Sequence, residues 1–160
     1  MIVYTGSFDP AHKGHLNTYL KAKRHFGCDI DICICNNDIK PTGYFSMQER
    51  LVIAKSLFPT SNIWLVQGDA EIHNMFCNAD IIIRGFRKSF ENVDKRYVQE
   101  LLQYYHIELM GNKIHYVEID DEFEGVTSTM IKEEARTCLN QLSTYISHTA
   151  IQMFIEKSGC

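Results

Sequence analysis

Hydrophobic and polar positions along this chain follow two periods that take turns. An apolar start over residues 1–6 predicts a strand. Residues 13–26 carry Leu16, Tyr19, Leu20 and Ala22 at helical spacing, with Lys21, Lys23 and Arg24 facing out, and predict an amphipathic helix stopped by Gly27. Residues 28–35 predict a second strand, whose alternation is confined to Asp29 and Asp31. Its continuously apolar end suits a buried parallel strand. Ser46-Met-Gln-Glu49 is a capping box, so a helix is predicted over 47–58, ended by Pro59. Residues 62–67 predict a third strand, and 69–78 a short helix with Ile72, Met75 and Phe76 on one face. Residues 80–84 predict a fourth strand that runs into Gly85-Phe86-Arg87. A long helix is predicted over 92–108, with Val93, Tyr97, Leu101, Tyr104 and Tyr105 inward and Gly111 as its stop. Residues 113–119 alternate as a fifth strand, and Asp120–Glu124 is an acidic loop. Thr127-Ser128-Thr129 opens a helix to about 137, and a last helix over 143–157 carries Ile146, Ile151, Phe154 and Ile155.

Strands alternating with helices imply right-handed βαβ units. The expectation is an α/β fold: one Rossmann-like domain with a mostly parallel five-stranded sheet flanked by helices on both faces. In such sheets ligands bind at the carboxyl ends of the strands. The loops there are 6–15, 36–45, 67–70, 84–90 and 120–129, and they hold the polar clusters that stand out.

Composition narrows the function without choosing it. A chain of 160 residues suits one domain spanning 1–160. Its net charge of −4 argues against a nucleic-acid binder, which needs a basic face. The six cysteines show neither a disulfide framework nor paired C-x-x-C knuckles, and read as small buried hydrophobes in a reducing compartment. Cys33 and Cys35 share one face of a strand. No secretory signal and no apolar run long enough to span a bilayer is visible, which points to the cytoplasm and to no membrane partner.

The first fifteen residues form a strand, a Gly6-Ser7 turn, Asp9-Pro10 and a His12-Lys-Gly-His15 helix start. Unpaired amides and the helix dipole at such a start attract phosphate, and Lys13 with two histidines makes it basic. His15 could donate to a phosphate oxygen, and Gly14 allows close approach to the backbone. His12 reads as the more structural of the two histidines. Arg84 closes a buried strand, with Asp9 or an acidic loop residue as a possible structural partner. Arg84 and Arg87 offer two guanidinium forks across Gly85, and Lys40 stands on a loop at the same edge. Thr127, Ser128 and Thr129 supply more hydroxyls than one cap needs. There is no nucleophile–base pair, no Walker A lysine and no G-x-G-x-x-G. A cationic, hydroxyl-lined pocket without covalent machinery suits phosphoryl or nucleotidyl transfer.

Gly6-Ser-Phe-Asp-Pro-Ala-His-Lys-Gly-His15 resembles the H-x-G-H signature of the nucleotidyltransferase superfamily. Ile83-Arg-Gly-Phe-Arg87, Phe45-Ser-Met-Gln-Glu-Arg50 and Thr127-Ser-Thr-Met-Ile-Lys-Glu133 resemble phosphopantetheine adenylyltransferases. The resemblance implies adenylyl transfer from ATP to 4′-phosphopantetheine, giving dephospho-coenzyme A and pyrophosphate, by direct in-line attack on the α-phosphate. It implies His15, Lys40 and Arg84 as catalytic groups. It implies ATP contacts at Ser7, Phe8, His15, Gly85, Phe86, Arg87, Phe123, Glu124, Gly125, Val126, Thr127, Ser128 and Thr129. The acceptor would meet Ser7, Lys40 and Arg84. Mg²⁺ would arrive with ATP and leave with pyrophosphate, without a dedicated protein ligand, and the assembly would be a homohexamer. The family's acidic-aromatic run after R-G-x-R is lengthened here by about three residues, so Glu91, Asp94 and Tyr97 share the candidacy for nucleotide contacts. Alternatives are a related adenylyl- or cytidylyltransferase with an acceptor such as nicotinamide mononucleotide, or an inactive nucleotide-binding module.

Overall fold

The computed structural model describes residues 1–36, 43–109, 112–137 and 139–158. Five strands, β1 (Ile2–Gly6), β2 (Asp31–Cys35), β3 (Ile63–Val66), β4 (Ile81–Phe86) and β5 (Ile114–Glu118), form one parallel sheet in the order β3-β2-β1-β4-β5. Six helices connect and close it: α1 (Lys13–Phe26), α2 (Met47–Leu57), α3 (Asp69–Asn78), α4 (Glu91–Tyr104), α5 (Ser128–Glu134) and α6 (His148–Ser158). This is the α/β, Rossmann-like sheet that the alternation predicted. Chain order reverses between β1 and β4, so the connections leaving those two strands diverge and open a crevice at their carboxyl ends.

Strand alternation builds two cores. Tyr4, Ile32, Ile34 and Ile83 point toward α1, α2, α5 and α6, where Tyr19, Ile53, Ile131 and Phe154 meet them. Val3, Cys33 and Ile82 point the other way, against Ile72 and Phe76 of α3, Val98 and Leu102 of α4, and Tyr105 just beyond it. Both faces of the middle strands are therefore buried, which explains their continuous apolar runs.

Local signals placed the helix ends. Gly27 sits in the left-handed region at φ 66° and its N–H bonds the Lys23 carbonyl, closing α1. Ser46 and Glu49 make both bonds of the predicted capping box on α2. Five expectations shift. β2 starts at Asp31, because Cys28 and Asp29 are exposed ahead of the ladder. α4 ends at Tyr104 rather than 108, after a 3-10 turn over Lys88–Phe90, and Gly111 lies outside the described residues. Its inward face is Val98, Leu102 and Tyr105, while Val93 and Tyr104 are about half exposed at 49% and 50%. Leu20 is likewise exposed, since α1 packs through Thr18, Tyr19 and Ala22. α6 begins at His148, preceded by a 3-10 turn over Leu139–Thr144. Among the described residues no helix is long and apolar enough to cross a membrane.

Candidate active site

A cleft of about 890 Å³ opens at the carboxyl edge of the sheet, where β1 and β4 part. The turn after β1, the end of β2, the Arg84–Arg87 stretch, the inner side of α4 and the start of α5 line it. Of the sequence-predicted residues, it gathers Ser7, His15, Arg84, Gly85, Arg87, Asp94, Tyr97, Val126, Thr127, Ser128 and Thr129. Lys40 lies outside the described residues. Phe8, Phe86, Glu91, Phe123, Glu124 and Gly125 are not part of the lining. Each of the first five has another setting. Phe8 is buried at φ 45° with its ring 4.8 Å from that of His15. Phe86 is buried, and the Lys95 ammonium lies 4.8 Å from its ring. Glu91 pairs with Lys95 one helical turn on. Phe123 packs against the α1 side of the core. Glu124 accepts from the Ser89 N–H.

The two signature histidines close the start of α1 together. His12, 5% exposed, is the N-cap: its Nδ1 accepts from the Gly14 N–H at 3.1 Å. His15 Nδ1 accepts from the His12 N–H at 3.1 Å, completing a capping box made of imidazoles. A neutral ring whose Nδ1 accepts must carry its proton on Nε2, so His15 is held as an Nε2–H donor. Burial drives the His12 pKa down to about 3, which keeps that ring neutral. A Cβ on Gly14 would lie 3.0 Å from the His12 ring, so here the glycine answers to His12.

Arg84 reaches back across the sheet rather than to Asp9. Its Nη1 donates to the Thr5 carbonyl at 2.9 Å and to Thr5 Oγ1 at 3.3 Å, which points the guanidinium along the mouth of β1. Next to it, burial raises the Tyr4 hydroxyl to about 12, opposed by a hydrogen bond with Thr18 and by Arg84, so the ring stays a neutral phenol. Gly85 lets β4 approach α1: a Cβ there would sit 2.8 Å from Thr18 Oγ1. Arg87 forms a two-pronged pair with Asp94, Nε to Oδ2 at 3.0 Å and Nη2 to Oδ1 at 2.6 Å, and its own N–H adds a third bond to Oδ2. The guanidinium lies 4.5 Å from the Phe90 ring. Asp94 raises the Arg87 pKa further, so its charge is permanent. At α5, Thr127 is the cap, with Oγ1 accepting from the Met130 N–H, and Ser128 Oγ donates to the Pro10 carbonyl. Thr129 stays exposed at the rim.

A buried polar hub behind Ser7 went unread in the sequence. Asp9 and Arg50 are 5% and 4% exposed. The Asp9 carboxylate accepts from the N–H groups of Tyr44 at 2.8 Å and Phe45 at 2.9 Å. Arg50 Nε and Lys132 Nζ stand 3.6 and 3.5 Å away. Arg50 donates to the carbonyls of Phe45 and Ser7. Gly43 leaves the space for this: a Cβ there would lie 1.6 Å from Arg50 Nη2. One carboxylate thus joins the β1 turn, the entry to α2 and α5 into a single cleft wall.

Comparison with known proteins bears directly on this arrangement. The sequence profile described as cytidylyltransferase-like matches residues 3–134. The chain belongs to that cytidylyltransferase-like family. A phosphopantetheine adenylyltransferase of Leptospira biflexa is 28% identical over 164 aligned residues, covering 95% of this chain and 96% of the relative. One from Petrotoga mobilis is 30% identical, covering 82% and 80%. An FAD synthase of Methanoculleus marisnigri is 31% identical over a shorter stretch, 56% of this chain and 62% of the relative. The chain is an enzyme, a nucleotidyltransferase of the phosphopantetheine adenylyltransferase group. In this nucleotidyltransferase the H-x-G-H turn and the R-G-F-R strand end meet across one crevice.

The signals for the missed hub were present but local. Asp9 stands in the signature turn, where it read only as a candidate partner of Arg84. Arg50 lies on a capped helix start, where an arginine ordinarily reads as solvated.

Proposed function

We propose that this enzyme transfers the adenylyl group of ATP to 4′-phosphopantetheine, giving dephospho-coenzyme A and pyrophosphate. The observation that carries the reading is the juxtaposition of the His15 imidazole, the Arg84 guanidinium and the Ser7 turn on one cleft. Its supports are the full-length relatives named phosphopantetheine adenylyltransferase.

The chemistry asks little of the protein beyond position and charge. The acceptor phosphate approaches between Ser7 and Arg84 and attacks the α-phosphate of ATP in line, with no covalent enzyme intermediate. By the family resemblance Lys40, which lies outside the described residues, would add a second cation to that subsite. His15, fixed as an Nε2–H donor, stabilises the charge that grows on the α-phosphate oxygens. Gly85 and Arg87 on one side, and Val126 to Thr129 on the other, border the nucleotide, with the Phe8 ring packed 4.8 Å from that of His15. Asp94 holds Arg87, and Tyr97 completes the candidate contacts on α4.

Mg²⁺ belongs to the substrate, neutralising the departing pyrophosphate. The cleft lining sets Arg84, Arg87 and Lys132 beside the hydroxyls of Ser7, Thr127 and Ser128. The working unit is one domain over 1–160, acting in the cytoplasm as a homohexamer.

The match to an FAD synthase favours a second reading, in which the same adenylyl chemistry serves another phosphate acceptor. Pyrophosphate release from ATP, measured with 4′-phosphopantetheine, nicotinamide mononucleotide and flavin mononucleotide in parallel, decides between them. Turnover with the first alone supports the assignment, and turnover only with a mononucleotide overturns it.

A further inference from the structure

Nucleotidyl transfer leaves a pair of thiols beside the cleft unused. Cys33 and Cys35 project from the same face of β2, and their sulfurs lie 3.7 Å apart. Cys33 is fully buried in the core formed with α3 and α4. Cys35 ends the strand, half-buried, and lines the cleft on the same edge as Arg84 and Thr5. Cys28 and Cys77 are also free thiols but stand exposed and off the cleft lining.

We propose that Cys33 and Cys35 form a peroxide-reactive dithiol site in the wall of the active-site cleft, whose oxidation to a disulfide within β2 stops adenylyl transfer. The two sulfurs divide the labour. The contact from Cys33 holds the Cys35 thiol below its usual range; burial opposes this and the Arg84 guanidinium reinforces it. The same contact, together with burial, pushes the Cys33 thiol up, so it remains protonated. Thiolate character beside a cation and access from a cleft are what make a cysteine nucleophilic, and a neighbouring thiol is what resolves its first oxidation product.

The chemistry balances with one molecule of peroxide. The Cys35 thiolate attacks one peroxide oxygen, the O–O bond breaks, and hydroxide leaves, giving Cys35 sulfenic acid. Cys33 sulfur then attacks the sulfenic sulfur, its proton goes to the departing hydroxyl, and water leaves. Both thiols are oxidised and peroxide is reduced to water. Residues two apart on a strand have Cα atoms about 6.6 Å apart. That falls at the outer end of what a disulfide spans, about 4.4–6.8 Å. Closing the sulfurs from 3.7 Å to about 2 Å therefore draws in the end of β2. Asn36, the next residue, lines the cleft and donates to the Val66 carbonyl, so the pull reaches the wall that faces Arg84. A misplacement of about 1 Å in a reacting geometry can cost on the order of a hundredfold.

The loss of activity rests on the adenylyl-transfer reading of the cleft; the thiol chemistry does not. The test treats the full chain with hydrogen peroxide, removes the excess with catalase, and follows pyrophosphate release with ATP. The acceptor is S-methylated 4′-phosphopantetheine, whose blocked thiol cannot reduce the enzyme. The expected result is at least a tenfold loss of turnover, with two hydrogen masses lost at Cys33–Cys35 by tandem mass spectrometry. A phosphine reductant reverses both. Cys35→Ser, compared with its own untreated rate, keeps that rate through peroxide. Calorimetric titration with ATP runs alongside and is expected to weaken at least tenfold on oxidation. If the untreated enzyme fails to use the acceptor while oxidation still forms the disulfide and weakens ATP binding, the acceptor assignment falls and the thiol site stands. Undiminished turnover and ATP binding with the disulfide formed, or equal peroxide sensitivity in Cys35→Ser, overturns the proposal.

Discussion

Replacing His12 tests whether the helix start is held by a neutral, buried imidazole. Burial depresses its folded-state pKa to about 3, from 6.5 for the solvent-exposed imidazole of an unfolded chain. The unfolded state thus binds a proton on this residue below about pH 6.5, and the folded state does not until near pH 3. Stability from this group is therefore intact at neutral pH and is lost as pH falls through that window. Between pH 7 and pH 5 the loss amounts to about 2 kcal/mol. For a domain of this size that corresponds to a melting temperature lower by about 6 °C. His12→Asn keeps a side-chain oxygen able to cap the Gly14 N–H but carries no titrating proton. The assay is thermal unfolding by circular dichroism at pH 5 and pH 7 for both proteins. The substitution also leaves a void where the ring was, so the quantity compared is each protein's own pH difference. The difference should shrink by about 2 kcal/mol in His12→Asn. Equal pH dependence in the two proteins would refute the claim that the ring is buried and neutral.

Asp9→Asn leaves Arg50 without its carboxylate and turns an amide NH₂ toward the Tyr44 or Phe45 N–H. Breaking such a buried pair costs about 3 kcal/mol or more, read as a lower urea midpoint with an unchanged slope; a midpoint within error of the parent would remove the hub from the account. Gly85→Ala places a methyl 2.8 Å from Thr18 Oγ1 and 3.4 Å from Ile119 Cδ1, with an expected loss of about 1–3 kcal/mol by calorimetry. Free accommodation there would mean that α1 does not press on β4. His15→Ala should lower turnover about a hundredfold or more, on the scale of losing one oxyanion-type donor, and lower the melting temperature by a few degrees through the lost bond to the His12 N–H, about 1 kcal/mol. Pyrophosphate release at the parental rate would dismiss His15 from the chemistry.

Much of the fold was legible because its signals are local. The αL glycine after α1, the Ser46–Glu49 box and the bounds of α3 each depend on a few neighbouring residues, and the structure reproduces them. The face of α4 was not legible in the same way. Val93 and Tyr104 satisfy a helical period as well as Val98 and Leu102 do, and only docking on β4 chooses between them, whereas Tyr105 is buried as expected. Arg84 and Asp9, two plausible partners on paper, are assigned elsewhere, to Thr5 and to the Tyr44, Phe45, Arg50 and Lys132 cluster.

By itself the sequence determined the order of strands and helices and the parallel sheet that such alternation must form, and it singled out the turn after β1 as a candidate site. These follow from hydrogen-bonding periods and capping, which act over a turn or a strand. The tertiary structure decided which side chains share the cleft and what each is bonded to. It fixed His12 as a neutral cap, His15 as a donor through Nε2, and Asp9 with Arg50 as the hidden tie between three segments. The physical reason is distance along the chain: Asp9 and Arg50 act on one another only after β1, β2 and α2 have packed. The free energy that selects those contacts is desolvation and close packing in the folded core.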